Sequence, residues 1–301
     1  MFRSNYDENE ILPVYYGPRD EKFKNMIKTL LKKGNLKDKY IAPLLEDESM
    51  KIYGTVFTAE SADMENNYQV FEQLGDITAN AFIVWYMYRR FPQLLCTEGV
   101  KVVARLRINY GSKQSFSKIA ESLGFWPYIS ATENEKSSNK KSLLEDTFEA
   151  FIGATQYLLD NHFRNGVGNA VVYDILKNIF DDMDISLKFE DLYDAKTRLK
   201  EVFDLYGEAK LGVLEYKDEK NDKLTESVVY QVIGGVSTRL CQHCAAELGG
   251  KKKGGSYIEL GRGYAALKMD AQQKAAAQAI ENLRARGFSK PVPKIYETFC
   301  G

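Results

Sequence analysis

Two pairs of acidic residues stand at helical spacing within apolar segments. Glu72 and Asp76 lie one turn apart in VFEQLGDITANAF, and Asp146 and Glu149 lie three positions apart in LLEDTFEAFIGA. In a helix, the members of each pair share a face. Such pairs are common on solvated helix surfaces, and that is the simpler interpretation. The apolar neighbours favour another, in which each acid lies at the edge of a buried stripe. These neighbours are Phe71, Leu74, Ile77 and Phe82 in the first segment, and Leu143, Leu144, Phe148, Phe151 and Ile152 in the second.

Packing the two helices face to face would bring four carboxylates together in a poorly hydrated place. Repulsion among them would raise their pKa values unless a cation intervened. Oxygen ligands without a local Cys or His cluster are typical of Mg²⁺ or Mn²⁺ sites rather than zinc sites. Such ions serve phosphoryl transfer, because they activate water and neutralise charge on the leaving oxygen.

The elements that must position these acids are predicted to be helices. Apolar residues recur at three- and four-residue intervals in the segments that begin at Phe23, Ile77 and Phe148. This periodicity predicts a helical domain over residues 21–185, after an N-terminal extension of residues 1–20.

The second part of the chain has a different pattern. An acidic linker is predicted at 186–194, followed by a small α+β domain over 195–286 and a C-terminal tail over 287–301. The predicted order in this domain is α-β-β-β-α, with two helices on one face of a three-stranded sheet and an insertion near 235–256. Its elements are predicted at Ala195–Leu205, Gly212–Lys217, Ser227–Ile233, Tyr257–Leu260 and Met269–Leu283.

Composition and charge limit the function classes. Lys plus Arg is 41 and Asp plus Glu is 42, so a signal for a nucleic-acid partner must be local. The four cysteines are too few and scattered for a secreted disulfide framework. The polar start lacks the apolar core of a signal peptide, and no apolar run is long enough to span a membrane. We expect a soluble intracellular protein without a membrane partner.

Between Phe57 and Asp160 the sequence resembles the ribonuclease III catalytic domain. The matching segments, in order, are FEQLGD, YMYRRFP, RLRINYGSKQSFSKIAESLGFWPYI and LEDTFEAFIGATQYLLD. The resemblance places the acidic quartet of the family, which carries out catalysis and holds the metal, on Glu72, Asp76, Asp146 and Glu149. It implies Mg²⁺-dependent hydrolysis of double-stranded RNA by a homodimer, with each site cutting one strand to leave 5′-phosphates and short 3′ overhangs.

The second domain resembles a double-stranded RNA-binding domain, most closely in GRGYAALKMDAQQKAAAQAI. We expect Gly261 and Gly263 to form a tight turn before a helix whose N-terminus faces a phosphate. Arg262, Lys268 and the lysine triplet Lys251, Lys252 and Lys253 are the predicted RNA contacts, made by shape and charge. The triplet is equally compatible with a solvated loop.

Some positions depart from the family pattern and support a rival interpretation. Gln73 stands where a phenylalanine normally contributes to the dimer interface, and Met269 and Gln272 stand where basic residues are expected. The rival is a catalytically inactive scaffold that keeps the fold and binds double-stranded RNA.

Other chemistry-bearing residues give weaker signals. Cys241 and Cys244 form a CxxC that is half a zinc site, for which only His243 within the motif and the distant Cys300 offer further ligands. The alternatives are redox chemistry and an ordinary pair of thiols. We expect Trp85 and Trp126 to belong to the core.

Overall fold

The structure is a computed structural model that describes residues 13–221, 223–233 and 256–299. The chain divides into two compact units, Met1–Ile185 and Ser186–Gly301. The first is mainly helical and the second is α+β, which confirms the predicted fold class. The Lys251, Lys252 and Lys253 triplet and the motif with Cys241 and Cys244 lie outside the described residues.

The first unit is built of helices joined by short connections. Its helices are α1 (Glu21–Lys32), α2 (Asp38–Ile41), α3 (Asp47–Val56), α4 (Gln69–Arg90), α5 (Gly99–Tyr110), α6 (Lys113–Ser122), α7 (Glu133–Ser138), α8 (Lys140–His162) and α9 (Val167–Phe180). Two short strands, β1 (Val14–Tyr15) and β2 (Ala131–Thr132), pair antiparallel.

Helix α8 forms the centre of this unit. It contacts α3, α4, α6 and α9, because apolar residues occupy most of its circumference and each face must be covered. Leu143, Phe148, Phe151 and Leu159 are among its buried side chains.

Helices α4 and α8 approach each other closely at two glycines. A Cβ at Gly75 would stand 1.7 Å from the carbonyl oxygen of Glu149, and a Cβ at Gly153 would stand 2.1 Å from that of Phe71. Any larger residue at either position would force the backbones apart. The crossing therefore depends on glycine on both helices.

Two predictions of burial were wrong in part. One concerned the apolar residues around the first acid pair, and the other concerned Trp85. Leu74, Ile77 and Trp85 are 45%, 65% and 61% exposed. Helix α4 carries apolar residues on two faces. One face packs on α8 at Gly75 and on the rings of Tyr173 and Phe180 of α9 at Phe82. Trp126 is half-buried, with the Lys136 ammonium 4.2 Å from the centre of its ring.

The second unit is a three-stranded antiparallel sheet with its main helices on one face. The sheet order is β3-β4-β5. The strands are β3 (Val213–Lys220), β4 (Thr225–Ile233) and β5 (Ser256–Ala265), and the helices are α10 (Phe189–Leu192), α11 (Ala195–Tyr206), α12 (Glu208–Leu211), α13 (Lys268–Ala285) and α14 (Lys294–Phe299). Leu199, Val229, Leu260 and Ala275 belong to the core between the sheet and the helices.

The prediction of a tight glycine turn before α13 was wrong. Gly261 and Gly263 lie inside strand β5, which is longer than predicted. A Cβ on Gly261 or Gly263 would stand 2.3 Å from the carbonyl oxygen of Ala275 or Ala271, respectively. These glycines let the alanine face of α13 pack directly on the strand.

The segments predicted as linker and tail both contain short helices of the second unit. Phe189 in α10 and Tyr296 in α14 are buried, and their ring centroids lie 5.1 Å apart. Both segments thus contribute to the packing of this unit.

Candidate active site

Three of the four predicted acids converge in the first unit. Glu72 on α4 and Asp146 and Glu149 on α8 each offer a carboxylate oxygen, and these oxygens lie within 4.8 Å of one another. Glu149 is 6% exposed, and the other two are half-buried. The close crossing of α4 and α8 brings the three groups together.

Asp76 lies outside this group of three. It is exposed, and its carboxylate accepts a hydrogen bond from the Asn80 side-chain amide at 2.6 Å. The side-chain Oδ1 of Asn80 in turn accepts a hydrogen bond from the Arg107 guanidinium at 3.0 Å. The negative charge of Asp76 nevertheless helps to raise the pKa of Glu149. The expectation of four converging carboxylates therefore holds for three, with Asp76 at the margin.

Burial and mutual repulsion make the three carboxylates difficult to ionise. Burial, followed by the charges of Asp76, Glu145 and Glu72, raises the pKa of Glu149 to about 8. Burial is also the largest cause of the raised pKa values of Glu72 and Asp146. A cation among these oxygens would relieve both effects. The donor set therefore fits a hard divalent ion, which prefers carboxylate oxygens.

Sequence reasoning missed an ion pair beside the cluster. The Lys113 ammonium lies 2.7 Å from Glu145 Oε2 and 3.2 Å from the Ser142 hydroxyl oxygen. Lys113 is the first residue of α6, which Ser112 caps by accepting from the Ser115 amide at 3.3 Å. The positive charge of Lys113 partly offsets the rise in the pKa values of Glu72 and Asp146.

Tyr68 is a second residue that sequence reasoning did not assign to the site. Its buried hydroxyl donates a hydrogen bond to Asp146 Oδ2 at 3.0 Å. Burial, followed by the charge of Asp146, raises the pKa of Tyr68, so the phenol remains a donor at neutral pH. This bond holds one orientation of the Asp146 carboxylate. Tyr68 immediately precedes α4, where its spacing from the acids gave no signal of this contact.

In the second unit, the described basic residues predicted to bind RNA are both paired with acids. Arg262 forms ion pairs with Glu226 and with Glu259, the latter at 2.7 Å. Lys268 lies 2.9 Å from Asp218 Oδ2, although its side chain is 64% exposed.

Comparison with known proteins gives consistent matches. Residues 69–159 match the Ribonuclease III domain family. A protein of Invertebrate iridescent virus 6, provisionally assigned as ribonuclease 3, is 42% identical over 95% of this chain and 96% of its own length. A similarly assigned protein of Frog virus 3 is 40% identical over 84% of this chain and 61% of its own length. Ribonuclease 3 of Limosilactobacillus fermentum is 32% identical over 72% of this chain and 80% of its own length.

These matches, together with the helical unit and its acid cluster, define an endoribonuclease. The chain belongs to the ribonuclease III family. Among the described residues, no helix is long and apolar enough to cross a membrane.

Proposed function

We propose that this enzyme cleaves double-stranded RNA in a reaction that depends on Mg²⁺, for which Mn²⁺ can substitute. The observation that carries the proposal is the convergence of Glu72, Asp146 and Glu149 within 4.8 Å, with Glu149 buried. A bound divalent ion would supply Lewis acidity at the phosphate and an activated water. The expected products carry 5′-phosphates and short 3′ overhangs.

The residues of the site have separate roles in this proposal. Glu72, Asp146 and Glu149 hold the ion, and Asp76 adds negative charge at the margin. Tyr68 orients Asp146 through its hydrogen bond. Lys113 balances Glu145, so that this additional acid does not add an uncompensated charge beside the cluster.

The enzyme is proposed to act as a homodimer through the exposed face of α4. Val70, Leu74, Ile77 and Trp85 are 68%, 45%, 65% and 61% exposed and follow one stripe of that helix. Contiguous exposed apolar residues commonly mark a protein interface. A dimer would provide two sites, one for each strand of the duplex.

The second unit is proposed to bind the backbone of the duplex. Lys268 is its most exposed described candidate, and the Lys251, Lys252 and Lys253 triplet remains a prediction from the sequence. Gly261 and Gly263 contribute indirectly, because they fix α13 against the sheet.

Cleavage of an end-labelled RNA duplex tests the proposal. Wild-type protein should cut with Mg²⁺ or Mn²⁺, and Glu149→Gln should lower the rate by about 10³-fold, because it removes a metal ligand. Calorimetry should show weaker Mn²⁺ binding by this variant. Glu48→Gln, which removes a charge from an exposed side chain of α3, is the matched control and should cut normally. Duplex binding without cutting under either ion would instead support the inactive scaffold.

A further inference from the structure

An internal carboxylate contacts two side chains near the N-terminal end of α13. Asp218, on strand β3, lies 2.9 Å from the Lys268 ammonium. The side-chain amide of Gln272 donates to both carboxylate oxygens of Asp218, at 2.9 and 3.1 Å. Lys268 and Gln272 both belong to the first two turns of α13. The acid is 16% exposed, whereas Lys268 is 64% exposed.

The surrounding side chains hold this arrangement in place. Gln272 is 8% exposed, and its amide oxygen accepts a hydrogen bond from Lys196 on α11. That bond turns the amide nitrogen of Gln272 towards Asp218. Burial alone would raise the pKa of Asp218. Its hydrogen bonds, of which the bond from Lys268 has the largest effect, instead lower this pKa below its ordinary value. Asp218 is therefore a fixed anion at neutral pH.

Of the two groups that hold Asp218, the exposed Lys268 ammonium is of the type that binds phosphate, and it lies in the first turn of α13. The first amides of a helix are unpaired and its N-terminus is electropositive, so an anion is favoured there. The residue that precedes α13, Leu267, makes no side-chain capping bond. Lys268 adds a charge-assisted donor that is accessible to solvent. A phosphate approaching Lys268 would thus meet a cation already paired with a carboxylate.

We propose that Asp218 competes with RNA phosphates for Lys268 and so weakens duplex binding by the second unit. This inference rests on the proposed function, since it concerns the same RNA substrate. Asp218 would then set the affinity of the second unit for duplex RNA. This role is separate from that of the acid cluster in the first unit.

The test compares two variants that remove the same charge from adjacent residues. Successive strand residues point to opposite faces, so Asp218 faces α13 whereas exposed Glu219 lies on the other face of the sheet. Binding of the full-length protein to a duplex of about 20 base pairs, which exceeds the roughly 16 that one such domain spans, is measured by fluorescence anisotropy in EDTA. Asp218→Asn should lower Kd about fivefold or more. It should also steepen the slope of log Kd against log salt concentration by about one, as expected for one additional phosphate contact. Glu219→Gln should change Kd by less than about twofold.

A double variant tests whether the gain passes through Lys268. Adding Lys268→Met to Asp218→Asn should abolish the gain in affinity, so that the double variant binds the duplex no more tightly than Lys268→Met alone. Circular dichroism checks folding, and Asp218→Ser replaces Asp218→Asn if that variant unfolds. Equal binding by wild type and Asp218→Asn, or an equal gain in Glu219→Gln, would overturn the inference. Those results would leave cleavage by the wild type intact, whereas failure of the wild type both to bind and to cut duplex RNA would count against the proposed function itself.

Discussion

At the scale of single residues, Glu149 has the most demanding environment in the acid cluster. It is 6% exposed, and its pKa is raised from its ordinary value of 4.5 to about 8 by burial and then by neighbouring negative charges. A carboxyl group in this position is costly to ionise unless a cation is present. This cost should appear in the pH dependence of the free energy of unfolding of the metal-free protein.

The stability of the metal-free protein should fall as pH rises from about 5 to about 8. In this range the unfolded chain has released the Glu149 proton but the folded protein still holds it, so each rise in pH favours unfolding. Glu149→Gln should remove much of this slope and stabilise the fold at pH 8 by about 1–3 kcal/mol. Urea unfolding in EDTA at several pH values measures both effects.

The control for this experiment is Glu48→Gln, since the Glu48 side chain is 86% exposed. It should keep the wild-type slope. Added Mg²⁺ should raise wild-type stability at pH 8 and flatten the slope, because the ion binds the ionised cluster of the folded state. A pH-independent stability in EDTA would contradict the proposed environment of Glu149.

The residues that sequence reasoning missed differ in how they could have been found. Glu145 lies one turn before Glu149, so the spacing that identified the other acid pairs would also have identified it. Lys113 is far from these acids in sequence and reaches Glu145 because α6 packs on α8. No local pattern contains that contact.

At the scale of elements, the site depends on how closely α4 and α8 cross. Glu72 belongs to one helix, and Asp146 and Glu149 belong to the other. The distance between the helix axes therefore sets the distance between the carboxylates. Gly75 stands directly at the point of contact.

Gly75→Ala should disrupt the site. Alanine would gain about 1 kcal/mol in intrinsic helix propensity, but its Cβ would stand 1.7 Å from the Glu149 carbonyl oxygen, so the helices must separate. We expect a net destabilisation of about 2–3 kcal/mol, since overpacking of this kind typically outweighs the propensity gain. Thermal unfolding and Mn²⁺ calorimetry should show lower stability and weaker metal binding.

Gly54→Ala is the matched control, because Gly54 lies within helix α3 and its added Cβ would come no closer than 3.7 Å to Arg19. It should leave metal binding unchanged and stability equal or higher by up to about 1 kcal/mol. Equal Mn²⁺ affinity in the two alanine variants would show that the crossing distance does not control the site.

At the scale of the whole molecule, the exposed stripe of α4 determines the proposed assembly. Leu74 and Ile77 were expected to be buried beside the acids, yet they lie on the uncovered side of the helix. Their burial in a second copy would reconcile the apolar pattern of α4 with its exposure. Gln73 on the same helix is exposed and polar where a large apolar residue was expected, so the stripe must supply most of the interface.

Ile77→Lys should convert the proposed dimer into a monomer. A charged side chain at a position that is 65% exposed in one copy costs little in the monomer, but its burial in an apolar interface is unfavourable. Light scattering should therefore give half the wild-type mass. Leu205→Lys, at a 55% exposed position of α11 in the second unit, is the control and should leave the mass unchanged. A monomeric wild-type protein at micromolar concentration would count against the dimer.

The sequence by itself determined the features that arise from local order and spacing. The 3.6-residue apolar period predicted the helical first unit, and the α-β-β-β-α order predicted the second. The pairing of Glu72 with Asp76 and of Asp146 with Glu149 follows from the pitch of a helix. The spacing of Ala271, Ala275, Ala276 and Ala279 likewise puts them on one face of a helix, and all four are buried in α13.

Tertiary structure decided what depends on distances between separate elements. It brought Glu72 to Asp146 and Glu149 through a glycine crossing, left Asp76 at the margin, and placed Lys113 beside Glu145. It also paired Lys268 of helix α13 with Asp218 of strand β3. A periodic pattern shows which face of a helix is apolar, but packing decides what covers that face and which charges meet across it.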